Sequence, residues 1–80
     1  MTEAEVFSRV SDILVEYLRL DRKELDPESH IVNDIGADSL ALVELGFKFS
    51  EAFGVPMISP TPENLIIGNL ARQIHGEMKP

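Results

Sequence analysis

The sequence predicts an all-α fold, a small three-to-four-helix bundle with a long first loop and a short third helix. Three observations predict it. Apolar residues recur at the 3, 4 spacing of one helical face in three separate segments, and no segment alternates as a half-buried strand would. Between the first two segments the periodicity is lost over residues 20–38. Finally, the segments are bounded by capping residues, glycine or proline, which start and stop helices.

The first helix is expected at 3–19. Thr2 with Glu5 three residues on is a capping box, in which each side chain takes an otherwise orphaned backbone amide. Val6, Phe7, Val10, Ile13, Leu14, Tyr17 and Leu18 form one face, and Ser8, Arg9, Asp12, Glu16 and Arg19 the other. In the loop that follows, Asp26-Pro27-Glu28-Ser29 reads as a single capped turn, and Leu20, Leu25, Ile31, Val32 and Ile35 are expected to pin the chain to the bundle. Long loops inside small domains are uncommon and usually functional. A second helix is expected at 39–53, stopped by Gly54. In the Pro-rich connection, Thr61-Pro62-Glu63-Asn64 reads as an N-cap with proline at the first helical position, opening one short turn. Ile67, Leu70, Ala71, Ile74 and Met78 mark the face of a last helix over 66–78.

Composition narrows the function. Eighty residues make one domain at most, expected over 1–80. At 44% hydrophobic and 26% charged, the chain is globular in composition. No cysteine is present, so no disulfide, thiolate metal site or cysteine nucleophile exists. A net charge of −7 argues against nucleic acid, whose binders neutralise phosphates. The apolar runs fall short of the roughly 18 residues a membrane span needs, and no basic-then-apolar signal opens the chain. A cytoplasmic location is the expectation.

The second helix carries two apolar stripes. At about 100° per residue, Leu42, Leu45, Phe49 and Phe53 fall on one side. Leu40, Val43 and Phe47 fall nearly opposite, interleaved with Glu44 and Glu51. A single core buries only one stripe, so the other is expected to be an exposed strip rimmed by carboxylates, the kind of surface that meets a partner. The alternative is that Leu40 and Val43 pack beneath the long loop. Between Glu24 and Glu51 stand seven acids against one base, Lys48, which is −6 of the −7. Such a field attracts basic partners and orients them.

At the head of that helix stands Gly36-Ala37-Asp38-Ser39-Leu40. Here the sequence resembles the acyl carrier proteins, whose Asp-Ser-Leu follows a glycine at the start of a second helix. The resemblance extends through Ile35 to Leu40, Val43-Glu44-Leu45 and Ile67-Gly68-Asn69-Leu70, and so covers nearly the whole chain. It implies that Ser39 carries phosphopantetheine, with Asp38 beside it in the cofactor-binding site, and that the arm is taken from coenzyme A by a separate phosphopantetheinyl transferase that supplies Mg²⁺ and the base. It further implies a monomeric, non-enzymatic carrier of acyl thioesters, serving acyl-transferring and acyl-modifying enzymes through Asp38, Leu40, Val43, Glu44, Phe47 and Glu51. Physical reasoning agrees about the serine: the arm is joined through an anionic phosphodiester, and a helix N-terminus favours anions.

Other readings stay open from the residues alone. Asp38 or Ser39 is equally suited to be a plain N-cap. An aminoacyl or D-alanyl carrier, an unmodified helical interaction module and, more remotely, a Ser39/His hydrolase share the same features. His30 and His75, the only histidines, read as ordinary surface residues. Gly46 in mid-helix costs about 1 kcal/mol against alanine, which suggests room kept for an acyl chain or a close helix contact. Several positions depart from the family pattern. Ala41, Lys48, Ser50 and Ala52 interrupt an acidic run, Ser59-Pro60-Thr61-Pro62 replaces an acid-rich stretch, Phe47 is bulkier than usual and Ile66 stands at a Thr position. These departures point to a specialised carrier.

Overall fold

Thr2 starts the first helix as its spacing to Glu5 predicts. Its hydroxyl accepts the Glu5 amide at 3.1 Å and the Glu5 carboxylate accepts the Thr2 amide at 2.8 Å. The structure is a computed structural model that describes residues 1–78. Helix α1 runs Glu3–Leu18. It ends one residue before the sequence expectation, because Arg19 turns left-handed (φ 56°) and sends its amide back to the Val15 carbonyl. Helix α2 runs Ser39–Phe53 and helix α3 Ile67–Glu77. Gly54 stops α2 at φ 64°, in the left-handed region that glycine enters without strain.

One core joins the three helices. Val6, Val10 and Leu14 of α1 are fully buried, and α1 packs chiefly on the Ile67, Leu70, Ala71 and Ile74 face of α3. Leu45, Phe49 and Phe53 close the core from α2, with Leu42 partly buried beside them. Each fully buried Val, Leu, Ile or Phe side chain among them contributes about 1.5–3 kcal/mol through burial. Ser11 is the polar exception on α1; its buried hydroxyl donates to the Phe7 carbonyl at 2.8 Å.

The long loop is held by hydrogen bonds more than by apolar pins. Ile31 is buried, while Leu25 and Ile35 pack against the core from its edge. A 3₁₀ turn at Arg22–Glu24 is capped reciprocally by Asp21 and Glu24, and Arg22 fastens it to α1 through Asp12. The Asp26 turn forms as expected, its carboxylate accepting the Glu28 amide at 2.9 Å. His30 is half-buried instead of an ordinary surface residue. Its Nδ1 accepts the amides of Val32 (3.1 Å) and Asn33 (3.0 Å) and so caps the turn that follows.

The loop in turn caps α3. Ile66 offers no side-chain cap; instead the Ile67 amide donates to the Ser29 carbonyl at 3.0 Å and the Gly68 amide to the Pro27 carbonyl at 2.8 Å. Gly68 is required for that approach, since a Cβ there would lie 2.8 Å from the Pro27 oxygen. The expected short helix is a single turn over 62–65, closed by Thr61 and Asn64 capping each other. It stops there because Ile66 is extended (φ −88°, ψ 125°) and pairs antiparallel with His30.

Candidate functional site

Ser39 is set at the mouth of α2 by anchors on both sides. Ile31 and Ala37 are buried, and the Ala37 amide donates to the Ile31 carbonyl at 3.0 Å. Gly36, left-handed at φ 87°, turns the chain between them. Asp38 is then the N-cap, its carboxylate accepting the Ala41 amide at 2.8 Å. Ser39 is the first helical residue and is exposed, as is Asp38. Asp38 therefore does the capping, and the Ser39 hydroxyl is left facing solvent without a hydrogen-bond partner among the described residues. First-turn amides have no intrahelical acceptor, so the helix presents partial positive charge where the hydroxyl stands.

The two stripes of α2 separate as their spacing predicts. Leu45 is 1% exposed, whereas Leu40 is 69%, Val43 50% and Phe47 56% exposed. The alternative in which Leu40 and Val43 pack under the long loop is thereby overturned. Glu44 and Glu51 are exposed beside the strip. Glu44 also receives a hydrogen bond from the Tyr17 hydroxyl of α1, and this bond holds the phenol above its ordinary pKa of 10.0. Lys48, one turn on, sits 5.3 Å from the centre of the Tyr17 ring. The sequence placed Tyr17 with the core face; its exposed hydroxyl and the Lys48 contact had no signal in α1 alone.

On the opposite flank of the strip lies a small apolar cavity of about 30 Å³, between α2 and the 54–66 connection. Leu42, Gly46, Phe49, Ile58, Leu65 and Leu70 are among its walls. A Cβ on Gly46 would lie 3.0 Å from the Met57 Cε, so this glycine leaves room for the methionine tip and for the cavity. Asn64, buried at the cavity's edge, donates to the Ser59 carbonyl (2.8 Å) and to Gln73 (3.2 Å).

The remaining sequence candidates do not assemble with Ser39. His30 has its Nδ1 committed to two backbone amides, and neither histidine hydrogen-bonds to Ser39 among the described residues. No group of three or more His, Asp or Glu there could hold a metal ion. No described helix is long and apolar enough to cross a membrane.

A three-helix domain with an exposed serine at the mouth of its second helix, beside an acidic and apolar strip, has the layout of a carrier domain. Comparison with known proteins gives that layout a family. The family described as phosphopantetheine attachment site matches residues 8–65. An acyl carrier protein of Karelsulcia muelleri (strain GWSS) is 36% identical over 69 residues, covering 86% of this chain and 83% of the relative. Acyl carrier protein AcpXL of Brucella melitensis biotype 1 is 32% identical over 83 residues, covering 89% of each. The chain belongs to the acyl carrier proteins of the phosphopantetheine attachment-site family, carriers and not enzymes, whose cofactor is phosphopantetheine.

Proposed function

We propose that Ser39 is the attachment point, and that this chain, one carrier domain over 1–80, shuttles acyl groups between enzymes of fatty-acid, specialised lipid or polyketide biosynthesis. The observation that supports Ser39 is its exposure at the first position of α2 while Asp38 takes over the capping. In the loading step the Ser39 oxygen bonds to the phosphorus of the arm, the nucleotide half of coenzyme A departs, and the serine proton passes to a base on the transferase. The attached arm supplies a terminal thiol that holds the acyl group as a thioester, which is why the chain needs no cysteine.

The residues of α2 do the rest. The first-turn amides favour the phosphodiester anion. Leu40, Val43 and Phe47 offer apolar contact, while Asp38, Glu44 and Glu51 meet basic docking patches on the transferase and the acyl enzymes. Each methylene moved out of water is worth about 0.8 kcal/mol, so an acyl chain seeks the apolar flank at Gly46. A volume of 30 Å³ holds only a water molecule or two, so a long chain enters by parting α2 from the 54–66 connection. The interruption of acidic residues at Ala41, Lys48, Ser50 and Ala52 fits a carrier specialised for one pathway.

The test is an intact-mass measurement after incubation with coenzyme A, Mg²⁺ and a broad-specificity phosphopantetheinyl transferase. The chain gains one arm and Ser39→Ala gains none. Absence of any gain, or equal gain by Ser39→Ala, overturns the proposal.

A further inference from the structure

The segment that leads into Ser39 depends on one imidazole. Residues 31–35 form a single turn, in which the Asp34 and Ile35 amides donate to the His30 carbonyl (2.9 and 3.2 Å) and the Gly36 amide to the Val32 carbonyl (3.0 Å). The first amides of such a turn have no backbone acceptor within it. The half-buried His30 ring supplies one: its Nδ1 accepts the Val32 amide at 3.1 Å and the Asn33 amide at 3.0 Å. Asp34 answers from the other end, its carboxylate accepting the His30 amide at 2.7 Å. The two side chains form a reciprocal cap, with an imidazole in the place usually taken by Ser, Thr, Asp or Asn. Behind the turn, His30 pairs with Ile66 and the Ile31 amide donates to the Leu65 carbonyl at 2.8 Å. Ahead of it, Ala37 is buried with its amide on the Ile31 carbonyl at 3.0 Å, and Asp38 and Ser39 follow at once.

An imidazole differs from the usual caps because Nδ1 accepts only while it carries no proton. The proton of the neutral ring is therefore on Nε2. Protonation of Nδ1 sets a donor against two donors, and the turn loses its cap. The carboxylates nearest the ring along its own loop are Glu28, Asp34 and Asp38, and Glu63 is the nearest on the segment that pairs with it; Leu65–Leu70 carries no charge. None of these carboxylates forms an ion pair with His30 among the described residues, and their charge favours the imidazolium. We propose that His30 is a positioning residue for Ser39: the neutral ring caps the turn that presents the serine to the transferase, and the imidazolium releases that turn and slows loading. Because the cap needs the neutral ring, its contribution is present above the imidazole titration and is lost as pH falls through it. The consequence for loading rests on the reading of Ser39 as the attachment point; the state of the turn does not.

The test follows the unmodified full chain by NMR from about pH 8 to about pH 5, the span over which imidazoles change charge. The ring nitrogens of His30 report its protonation, and amide exchange, corrected for the intrinsic effect of pH, reports the cap. Protection at Val32 and Asn33 should fall about tenfold as the ring becomes charged, the size of a lost cap. The Gly36, Ala37 and Ser39 amides should shift along the same curve. His30→Asn keeps a cap that does not titrate, so its amides should stay protected throughout, and His75→Gln should behave as the parent does. With the transferase, the ratio of loading rates between parent and His30→Asn cancels the enzyme's own pH profile and should fall several-fold towards acid. Full protection of Val32 and Asn33 beside a charged ring overturns the proposal. So does a ring still neutral at the acid end, a loss of protection that His30→Asn shares, or a constant ratio of rates. A parent that takes no arm at any pH would overturn the attachment reading instead, and the Gly36–Ser39 amides would still decide whether the ring sets their position.

Discussion

The two sides of α2 are made of the same kind of residue and do opposite things. Leu45 is 1% exposed and Phe49 5%, whereas Phe47, between them in sequence, is 56% exposed. A bundle with three helices has one interior, so the second apolar stripe stays half or more exposed and is available for transient contact. Burial there waits for a partner, and the carboxylates beside it keep the strip soluble meanwhile.

The largest effect is expected on the buried side. Leu45→Ala should cost about 2–5 kcal/mol in urea unfolding, a large share of the roughly 5–15 kcal/mol that holds a small domain together. Gly68→Ala comes next, at about 1–3 kcal/mol, because its Cβ would lie 2.8 Å from the Pro27 carbonyl and force the loop off α3. Its signature is a shift of the Pro27–His30 amides in NMR; a silent substitution would mean the loop does not need that contact. On the exposed side, Phe47→Ala should change stability by no more than about 0.5 kcal/mol. Phe47→Ala and Glu44→Lys should nevertheless raise the KM of acyl enzymes for the carrier with helicity intact. A Phe47→Ala loss as large as that of Leu45→Ala would abolish the distinction between the two sides.

The smallest effect lies far from both. The hydrogen bonds from the Thr2 backbone and side chain hold the Glu5 carboxyl below its ordinary pKa of 4.5. A depressed carboxylate contributes stability above its unfolded pKa and loses it as pH falls through the folded value. Glu5→Gln should therefore melt lower than the parent near neutral pH, and the gap should close in acid. A gap of constant size down to about pH 3 would contradict the cap's ionic character.

What was legible in the sequence follows from where each interaction lives. Helical periodicity showed both stripes of α2, because burial repeats with the helix. The Thr2/Glu5 box and the Gly54 stop were legible because they are local in sequence. The Asp21/Glu24 pair has the same spacing and is equally local. By contrast, the capping of α3 by the Pro27 and Ser29 carbonyls joins backbone atoms far apart in the chain, and no side chain announces it. The role of His30 as a turn cap, and the cut-off of the short third helix by the Ile66 pairing, were hidden for the same reason. At the site, Ser39 and Asp38 were readable from the Gly36–Leu40 run, but which of the two caps the helix required coordinates.

The most direct measurement of the central claim is to fragment the transferase-treated protein and locate the added mass along the chain by tandem mass spectrometry. The arm should map to Ser39 alone, with Ser8, Ser11, Ser29, Ser50 and Ser59 bare. An arm found on any other residue, or Ser39 unmodified in a preparation that has gained the mass, would contradict it.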